Sequence, residues 1–307
     1  MSLRISTAPH AHSPVTTKRL MGCVVLSLLP PLAAGVYAFG LRALLLVAVA
    51  CAGAVLSEFL WQKIARQKIR VSDGSALVTG LILGLNLPAS APWWLALAGG
   101  AFAVLIVKQL FGGLGDNFLN PAMAARAVLL ASWPVHMTAY VAPTFFSGAE
   151  LVAAATPLAG NAASLSQLFW GDIPGCIGEV NKAAILLGFL FLLLTGTVSW
   201  RIPVVTVGSV FVFSWLLGME PAAAVLSGGV LFGAVYMATD YTTSPMTPWG
   251  QILYALGIGL IATVIRKFGS YPEGMTYGIL LMNIATPLID RFLPRKIYGY
   301  RKEAKKA

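Results

Sequence analysis

The apolar run Ala-Leu-Leu-Leu-Val-Ala-Val-Ala-Cys-Ala-Gly-Ala-Val-Leu-Ser-Glu-Phe-Leu-Trp occupies residues 43–61 and contains one charged side chain, Glu58. A helix needs about 20 predominantly apolar residues to cross the hydrocarbon core of a bilayer. Because the run is continuous and does not alternate with polar residues, it predicts a membrane-spanning helix and not a strand of a barrel. This stretch therefore predicts a fold whose solvent is lipid.

The composition of the whole chain agrees with that prediction. Hydrophobic residues make up 58% of the 307 residues and charged residues 10%, whereas a soluble domain has about 25% charged residues. A soluble protein of this length would have too few polar side chains to cover its exterior. The composition excludes a cytosolic globular enzyme, a disordered chain and a secreted disulfide scaffold.

The chain is strongly basic, with a formal net charge of +10. Its Lys and Arg residues gather at the ends of apolar runs and are not interleaved with aromatic residues. The first arrangement orients a protein in a bilayer, whereas the second is typical of nucleic-acid binding. We therefore expect a lipid bilayer as partner and no nucleic acid.

Similar apolar runs recur along the chain and predict about ten transmembrane helices. They cover residues 20–39, 43–61, 75–87, 93–107, 121–134, 183–200, 203–219, 222–239, 249–265 and 275–290. Two of these runs, 75–87 and 121–134, are short for a full span. Short or interrupted segments at membrane depth usually line a cavity. The predicted fold class is an all-α polytopic membrane protein.

The basic residues also predict the orientation of the chain. Most of them fall on the cytoplasmic side if the N-terminus is cytoplasmic, and ten spans then place both termini there. The exceptions are Arg42, Lys182, Arg266 and Lys267. The predicted parts are a cytoplasmic segment 1–19, a first five-helix repeat 20–134, an outward-facing loop 135–182, a second five-helix repeat 183–290 and a basic cytoplasmic tail 291–307.

An internal repeat supports this division. Pro92-Trp93 and Pro248-Trp249 each precede an apolar run that ends in basic residues and glycine. The two pairs lie about half the chain apart, and five spans per half is an odd number. The two copies must therefore cross the membrane in opposite directions, and inverted repeats build a binding site at their interface.

Three segments contain polar residues suited to binding or modification. In 150–159, Thr156 is flanked by small residues and is accessible to a modifying enzyme, but the residues alone favour an ordinary loop hydroxyl. In 108–122, three glycines allow close approach of the backbone, and Asn117 and Asn120 could point their amides the same way. A cytoplasmic turn followed by an N-cap at Asn120 is the alternative, and the residues alone favour it. In 237–248, Asp240 and its neighbouring hydroxyls could coordinate a cation or cap a helix.

Isolated ionisable residues in or beside spans are candidates for ion or cofactor chemistry, although contact with water at the span ends would explain most of them. They are Glu58, Asp73, Asp116, Arg126, Asp240 and Asp290. The three cysteines, Cys23, Cys51 and Cys176, form neither a disulfide framework nor a metal-ligand pattern. No catalytic residue and no metal site is predicted.

Four stretches, taken together, resemble a known family. They are residues 72–81, 112–122, 155–159 and 237–248. The chain resembles the D subunit of the Rnf ion-translocating electron transport complex and, more distantly, the B subunit of the sodium-translocating NADH:quinone reductase. The resemblance extends from about residue 20 to residue 293 and implies a location in the bacterial cytoplasmic (inner) membrane.

The resemblance implies a covalent flavin. Such subunits carry FMN joined through its phosphate to a threonine hydroxyl by a dedicated flavin transferase, and Thr156 occupies the acceptor position. The usual acceptor sequence is Asp-x-x-Ser/Thr-Gly/Ser-Ala-Thr, whereas this chain has Glu150, Ala153 and Ala154 at the first, fourth and fifth positions. These changes preserve the charge and the small size of the residues. In the related reductase subunit two asparagines hold a riboflavin, and they fall on Asn117 and Asn120.

The implied function is an electron relay through the membrane between a flavin on Thr156 at the outer side and a second flavin near Asn117 and Asn120 toward the inner side. Flavins suit this role because they take part in one-electron chemistry. The implied partners are a second FMN-bearing subunit, an NADH-oxidising subunit and further membrane and peripheral subunits. Transport of Na+ or H+ would be coupled to the relay, with Asp116 and Asp240 as possible residues of the ion pathway. The alternative is a solute channel or secondary transporter without a redox cofactor.

Overall fold

The computed structural model describes residues 15–145, 164–269 and 273–294. These residues form helices and connections, without a β-strand in the described ranges. The first half consists of α1 (Thr17–Phe39), α2 (Leu41–Ile64), α3 (Ser75–Leu85), α4 (Trp93–Phe102), α5 (Pro121–Ser132) and the short α6 (Pro134–Thr138). The second consists of α7 (Leu165–Trp170), α8 (Lys182–Leu194), α9 (Arg201–Leu216), α10 (Pro221–Leu226), α11 (Val230–Phe232), α12 (Pro248–Phe268) and α13 (Gly274–Phe292).

Two helices end in a wider π-helical segment. The helix α4 continues as Ala103–Gln109, and α11 continues as Gly233–Met237. Such segments are rare and frequently lie at functional sites. Both segments here lead directly into the two polar connections that contain the candidate binding residues.

Three of the helices are long and apolar enough to cross a membrane: α1, α2 and α12. Shorter apolar helices form α3, α5, α8, α9 and, with its π-helical extension, α4. The expected class of an all-helical protein with membrane spans is thus confirmed. A helical segment lies within every predicted apolar run.

Two of the predicted runs contain a turn or a break in the helix. Run 183–200 is helical only as far as Leu194, because Gly196 adopts a positive φ of 65° and the chain turns there. Run 222–239 is not one helix: α10 and α11 are separated at Ser227–Gly229, where Gly228 has φ 58°. A broken helix of this kind leaves backbone carbonyls without helical partners, which must be satisfied by other groups in a membrane.

Side-chain caps begin several of the helices. Asn120 accepts a hydrogen bond from Met123 N at 3.2 Å, and Asn181 accepts one from Ala184 N at 2.9 Å. Thr247 caps α12 by accepting from Gly250 N at 3.1 Å. Each cap satisfies a backbone N–H that has no partner within the helix. The N-cap expected at Asn120 is therefore confirmed.

Glycines set the closest helix contacts. A Cβ at Gly80 would lie 2.6 Å from Cys51 Cα, and one at Gly84 would lie 2.8 Å from Val47 Cα, so α3 packs backbone to backbone on α2. In the same way Gly100 of α4 leaves no room for a Cβ beside Ala50 O of α2. Membrane helices associate mainly through this kind of close packing, since lipid is as apolar as their side chains.

The helix ends define two opposite faces. At the face where α1 begins, here called the N-terminal face, Glu58, Ser75 and Lys108 meet at the ends of α2, α3 and α4. At the opposite face Arg42 donates to Ser90 O at 2.9 Å, and Ser90 donates to Ala139 O. Each face contains one of the two cavities described next.

Candidate functional site

A cavity of about 80 Å³ opens near the N-terminal face between the two halves of the chain. Asn117 and Asn120 line it from the first half, and Asp240 lines it from the second. The remaining wall is mostly apolar, with contributions from α1, α3, α8 and α11. We call it the asparagine cavity.

A glycine turn brings the asparagines to this cavity. Gly112, Gly113 and Gly115 have φ values of 121°, 103° and 105°, which residues with a side chain rarely adopt. The turn connects the π-helical end of α4 to the first turn of α5. It leaves Asn117 and Asn120 buried and Asp116 exposed.

Asn120 has two structural tasks. Its Oδ1 caps α5, and its Nδ2 donates to Met237 O at 3.0 Å, which ties the first half of the chain to the second. Asn117 donates to Leu119 O at 3.0 Å and also bonds to the Asp240 carboxylate. The oxygen and the nitrogen of the Asn120 amide thus each have a partner within the protein. Asn117 also lines the cavity.

Asp240 lies in the connection that follows the π-helical end of α11. Its Oδ2 accepts from Thr242 Oγ1 at 3.0 Å and from Thr243 Oγ1 at 3.1 Å. Burial raises the pKa of this carboxyl, while the hydrogen bonds from Thr242, Thr243 and Asn117 act in the opposite direction. The structure thus brings Asn117, Asn120 and Asp240 to one cavity. Asp116 does not line it, and Thr156 lies outside the described residues.

A buried ion pair adjoins the asparagine cavity. Lys108 Nζ lies 2.8 Å from Glu58 Oε1 and donates to Ser75 Oγ at 2.6 Å. Both charged side chains are 2% exposed. The sequence places Lys108 at the start of the candidate segment 108–122 and Glu58 inside a predicted span, but it does not indicate that the two form a pair. Only the fold brings together α2 and α4, which are distant in sequence.

A second cavity, of about 40 Å³, lies toward the opposite face. We call it the arginine cavity, because Arg126 and Arg266 line it together with Glu179, Glu273 and Lys182. Arg126 lies 2.7 Å from a carboxylate oxygen of Glu179 and 2.7 Å from one of Glu273. Arg126 lies in α5 and is buried among acceptors from both halves of the chain.

Cys176 belongs to this cluster as well. The guanidinium of Arg126 donates to its Sγ at 3.4 Å and to Asn86 Oδ1. Burial raises the pKa of the Cys176 thiol, so the side chain is a neutral partner of the cluster. Among the described residues no group of three or more His, Cys, Asp or Glu side chains is arranged to hold a metal ion.

Arg266 and Lys182, which are exceptions to the excess of basic residues on the cytoplasmic side, donate hydrogen bonds at the break between α10 and α11. Arg266 donates to Ala224 O at 2.7 Å and to Ser227 O at 3.2 Å. Lys182 donates to Gly228 O at 3.2 Å and to Glu179 O. These carbonyls belong to the break between α10 and α11, where helical partners are missing, and to the segment before α8. The two cations are therefore held by local bonding and carry no information about orientation.

The two cavities lie on opposite sides of a thin partition. Asn120 and Tyr236 line the asparagine cavity, whereas Met123 and Met237 line the arginine cavity. The first turn of α5 and the end of α11 therefore separate them by about one helical turn, which rises about 5.4 Å. The hydrogen bond from Asn120 to Met237 O lies within this partition.

Comparison with known proteins identifies the family. Residues 4–299 match the sequence model of the NQR2, RnfD, RnfE family. The chain belongs to the NQR2, RnfD, RnfE family. It is 48% identical to the D subunit of the Na(+)-translocating ferredoxin:NAD(+) oxidoreductase complex of Acetobacterium woodii, over 100% of this chain and 98% of the relative.

Two relatives with lower identity also match over nearly the whole length of both chains. The D subunit of the proton-translocating ferredoxin:NAD(+) oxidoreductase complex of Clostridium ljungdahlii is 38% identical, over 97% of this chain and 96% of the relative. The D subunit of the ion-translocating oxidoreductase complex of Cronobacter sakazakii is 36% identical, over 98% and 100%. The expected resemblance to the Rnf D subunit, and the expected class of a subunit of an oxidoreductase complex, are thus confirmed.

Proposed function

We propose that this family member is an electron-transfer subunit of an ion-translocating ferredoxin:NAD+ oxidoreductase complex and holds two flavins, one at each face of the bilayer. The observation that carries the proposal is the pair of cavities separated by about one turn of helix. A relay needs redox groups close together and protected from water. Back-to-back cavities inside a membrane protein offer such an arrangement.

The orientation proposed here places the N-terminal face in the cytoplasm of a bacterium, with both termini on that side of the cytoplasmic (inner) membrane. Lys63, Arg66, Lys68 and Arg70 all lie at or after the end of α2 at that face, in agreement with an excess of basic residues in cytoplasmic loops. Because Lys182 and Arg266 are fixed by carbonyl groups, they no longer count against this orientation. The asparagine cavity is then the inner one.

We also propose ten spans arranged as two inverted five-helix repeats. Supporting contacts occur in matching pairs: α2 packs on α3 and α4, whereas α9 packs on α10 and α12. Contacts between the halves pair equivalent helices, α1 with α8 and α5 with α13. Such pairing is what a two-fold relation in the membrane plane would produce.

The lining of the asparagine cavity suits a flavin without its phosphate in its chemical character. Its wall combines apolar side chains with a few polar groups, Asn117, Thr79 and Asp240 among them, as sites for ring-shaped ligands do. When bound, a flavin supplies one-electron chemistry. Asn117 would orient the ring by hydrogen bonding. Asn120 would hold the wall in place through its bond to Met237 O.

For Thr156 we propose a phosphoester link to FMN, made by a flavin transferase. In support, Phe145 is the last described residue before the segment that contains Thr156, and its N donates to Ala38 O at the end of α1. That end lies at the face away from the asparagine cavity. The FMN would there exchange electrons with a second FMN-bearing subunit, while an NADH-oxidising subunit acts on the cytoplasmic side.

Asp240 is the proposed residue for ion coupling within this chain. It lines the asparagine cavity, and its carboxylate accepts hydrogen bonds from the hydroxyl groups of Thr242 and Thr243. Carboxylate and hydroxyl oxygens suit a hard cation such as Na+ and also suit a proton. Asp116 is the weaker candidate because it is exposed on the glycine turn.

The experiment is a mass measurement on the intact chain purified from its complex after co-expression with the flavin transferase. We expect the added mass of FMN less water in the natural chain and in Thr144→Val, and no added mass in Thr156→Val. We also expect a separate flavin without phosphate to be released on denaturation from all three. A bare Thr156 in the assembled complex would refute the covalent link. Uptake of a neutral solute by the isolated chain would favour a transporter instead.

A further inference from the structure

Lys108 separates two compartments at the N-terminal face. It lines the asparagine cavity, and its partner Glu58 lines a polar vestibule on the other side, together with Gln62, Asp73 and Gln109 among others. The basic side chains of Lys18, Lys68 and Arg70 line that vestibule as well. Lys108 is thus a buried cation in the wall between a solvent-connected space and a largely apolar cavity.

Three helices fix the position of its ammonium group. Glu58 of α2 and Ser75 of α3 accept from Lys108 Nζ at 2.8 and 2.6 Å. Gln109 and Gln62 donate to the same Glu58 oxygen at 2.7 and 3.3 Å. In an α-helix, two adjacent side chains point in different directions and do not contact the same partner. Lys108 and Gln109 lie in the π-helical end of α4, and both bond to Glu58 Oε1.

The arrangement leaves one ammonium hydrogen for a ligand. A lysine has three N–H donors, and Glu58 and Ser75 account for two of them. Among the described residues lining the asparagine cavity, Lys108 is the cationic one and Asp240 the acidic one. The cavity therefore offers a donor with positive charge on one side and an acceptor on the other.

We propose that Lys108 is the cationic contact of the flavin in the asparagine cavity and raises its reduction potential, with Glu58 as the positioning residue that holds Lys108. This inference rests on the proposed function, because it needs a flavin in that cavity. Electron uptake makes the ligand more negative. A fixed positive charge in a site with little water favours the reduced form for that reason.

A purely structural role makes a different prediction. If the ion pair only joined α2 to α4, its loss would lower stability and leave the potential of any bound flavin unchanged. Buried ion pairs are often no better for stability than well-packed apolar groups, so stability alone does not distinguish the two roles. The reduction potential does.

The test is a potentiometric titration of the non-covalent flavin in the purified complex, for the natural chain, Lys108→Met, Lys108→Arg and Glu58→Gln. In Lys108→Met we expect the ratio of reduced to oxidised flavin at a fixed potential to fall about tenfold, a shift of about 30 mV to lower potential for a two-electron couple. Lys108→Arg should stay near the natural value. Glu58→Gln should also shift the potential to lower values, because it removes the carboxylate that keeps the buried Lys108 ammonium charged and in place.

The flavin content of each variant completes the test. Loss of the flavin from Lys108→Met with retention in Lys108→Arg also supports a charged contact. A retained flavin with an unchanged potential in Lys108→Met overturns the inference. If both Lys108 variants lose the flavin, Glu58→Gln decides by the presence or absence of the shift to lower potential. A natural chain that holds no releasable flavin would instead refute the proposed function of the cavity.

Discussion

Asn120 Nδ2 donates to Met237 O at 3.0 Å and thereby joins the first turn of α5 to the π-helical end of α11. The bond links the two halves of the chain between the two cavities. The same side chain also caps α5 through Oδ1. Helix formation and the separation of the cavities thus depend on one amide.

The first prediction separates these two tasks of Asn120. Asn120→Ala removes both bonds and should lower the free energy of unfolding by about 2 kcal/mol, about half from the cap and half from the lost bond to Met237 O. Asn120→Ser keeps a capping oxygen and should recover about half of that loss. The measurement is thermal unfolding of the complex in detergent. Equal destabilisation by both substitutions would contradict a separate contribution from the cap.

The second prediction concerns Arg126. Arg126→Met leaves the carboxylates of Glu179 and Glu273 buried without their cation, which typically costs about 3–5 kcal/mol. Unfolding midpoints in detergent should fall accordingly. Lys267→Met is the control, because Lys267 is exposed on α12 and its removal should have little effect.

Neutralising Glu179 and Glu273, the two partners of Arg126, should partly restore the stability that Arg126→Met loses. In a chain with Arg126→Met, Glu179→Gln and Glu273→Gln together, no uncompensated charge from this trio remains. We expect it to be more stable than Arg126→Met alone. If the triple variant is as unstable as the single one, the loss comes from packing and not from the buried charges.

The third prediction concerns helix packing. Gly100→Ala places a methyl group against Ala50 O of α2, and overpacking of this kind costs about 1–3 kcal/mol. Gly208→Ala is the matched control, since nothing lies within 4 Å of a Cβ at Gly208. Because alanine is the better helix former by about 1 kcal/mol, this control should be neutral or stabilising. Similar unfolding midpoints for both variants would contradict the close contact of α2 and α4.

The helices were more predictable from the sequence than their interruptions. Continuous apolar runs such as 43–61 need only hydrophobicity to be recognised, and α2 lies there. The break at Ser227–Gly229 lies inside the apolar run 222–239, so hydrophobicity does not reveal it. Its carbonyls accept hydrogen bonds from Arg266 and Lys182, which come from other parts of the chain. Hydropathy along a sequence contains no information about such distant partners.

The candidate site was predictable in a similar, partial way. The glycine turn and its asparagines could be found because unusual backbone angles and caps have local sequence signals. The partnership of Lys108 with Glu58, and that of Arg126 with Glu273, joins residues far apart in sequence. An unpaired charge inside a predicted span was the available signal, since such residues need a partner in lipid. For Glu58 and Arg126 that partner is another side chain.

The fourth prediction concerns pH. Because burial raises the pKa of Asp240 above its ordinary value, the folded chain binds a proton there more readily than the unfolded chain does. Between the two pKa values the folded state therefore carries more protons, so the contribution of Asp240 to stability falls as pH rises. Asp240→Asn should lose this dependence and gain most over the natural chain at neutral pH. The measurement is the unfolding midpoint of each chain from about pH 4 to about pH 8.

The same pair of chains tests the binding of an ion. A cation at Asp240 competes with the proton, so Na+ should raise the unfolding midpoint of the natural chain at neutral pH more than K+ does. The increase should fade as the pH falls and should be missing in Asp240→Asn. A Na+ effect that persists in Asp240→Asn would place the ion at other residues, and Asp116→Asn then becomes the variant to measure. A pH dependence equal in both chains would show that Asp240 is not the titrating group.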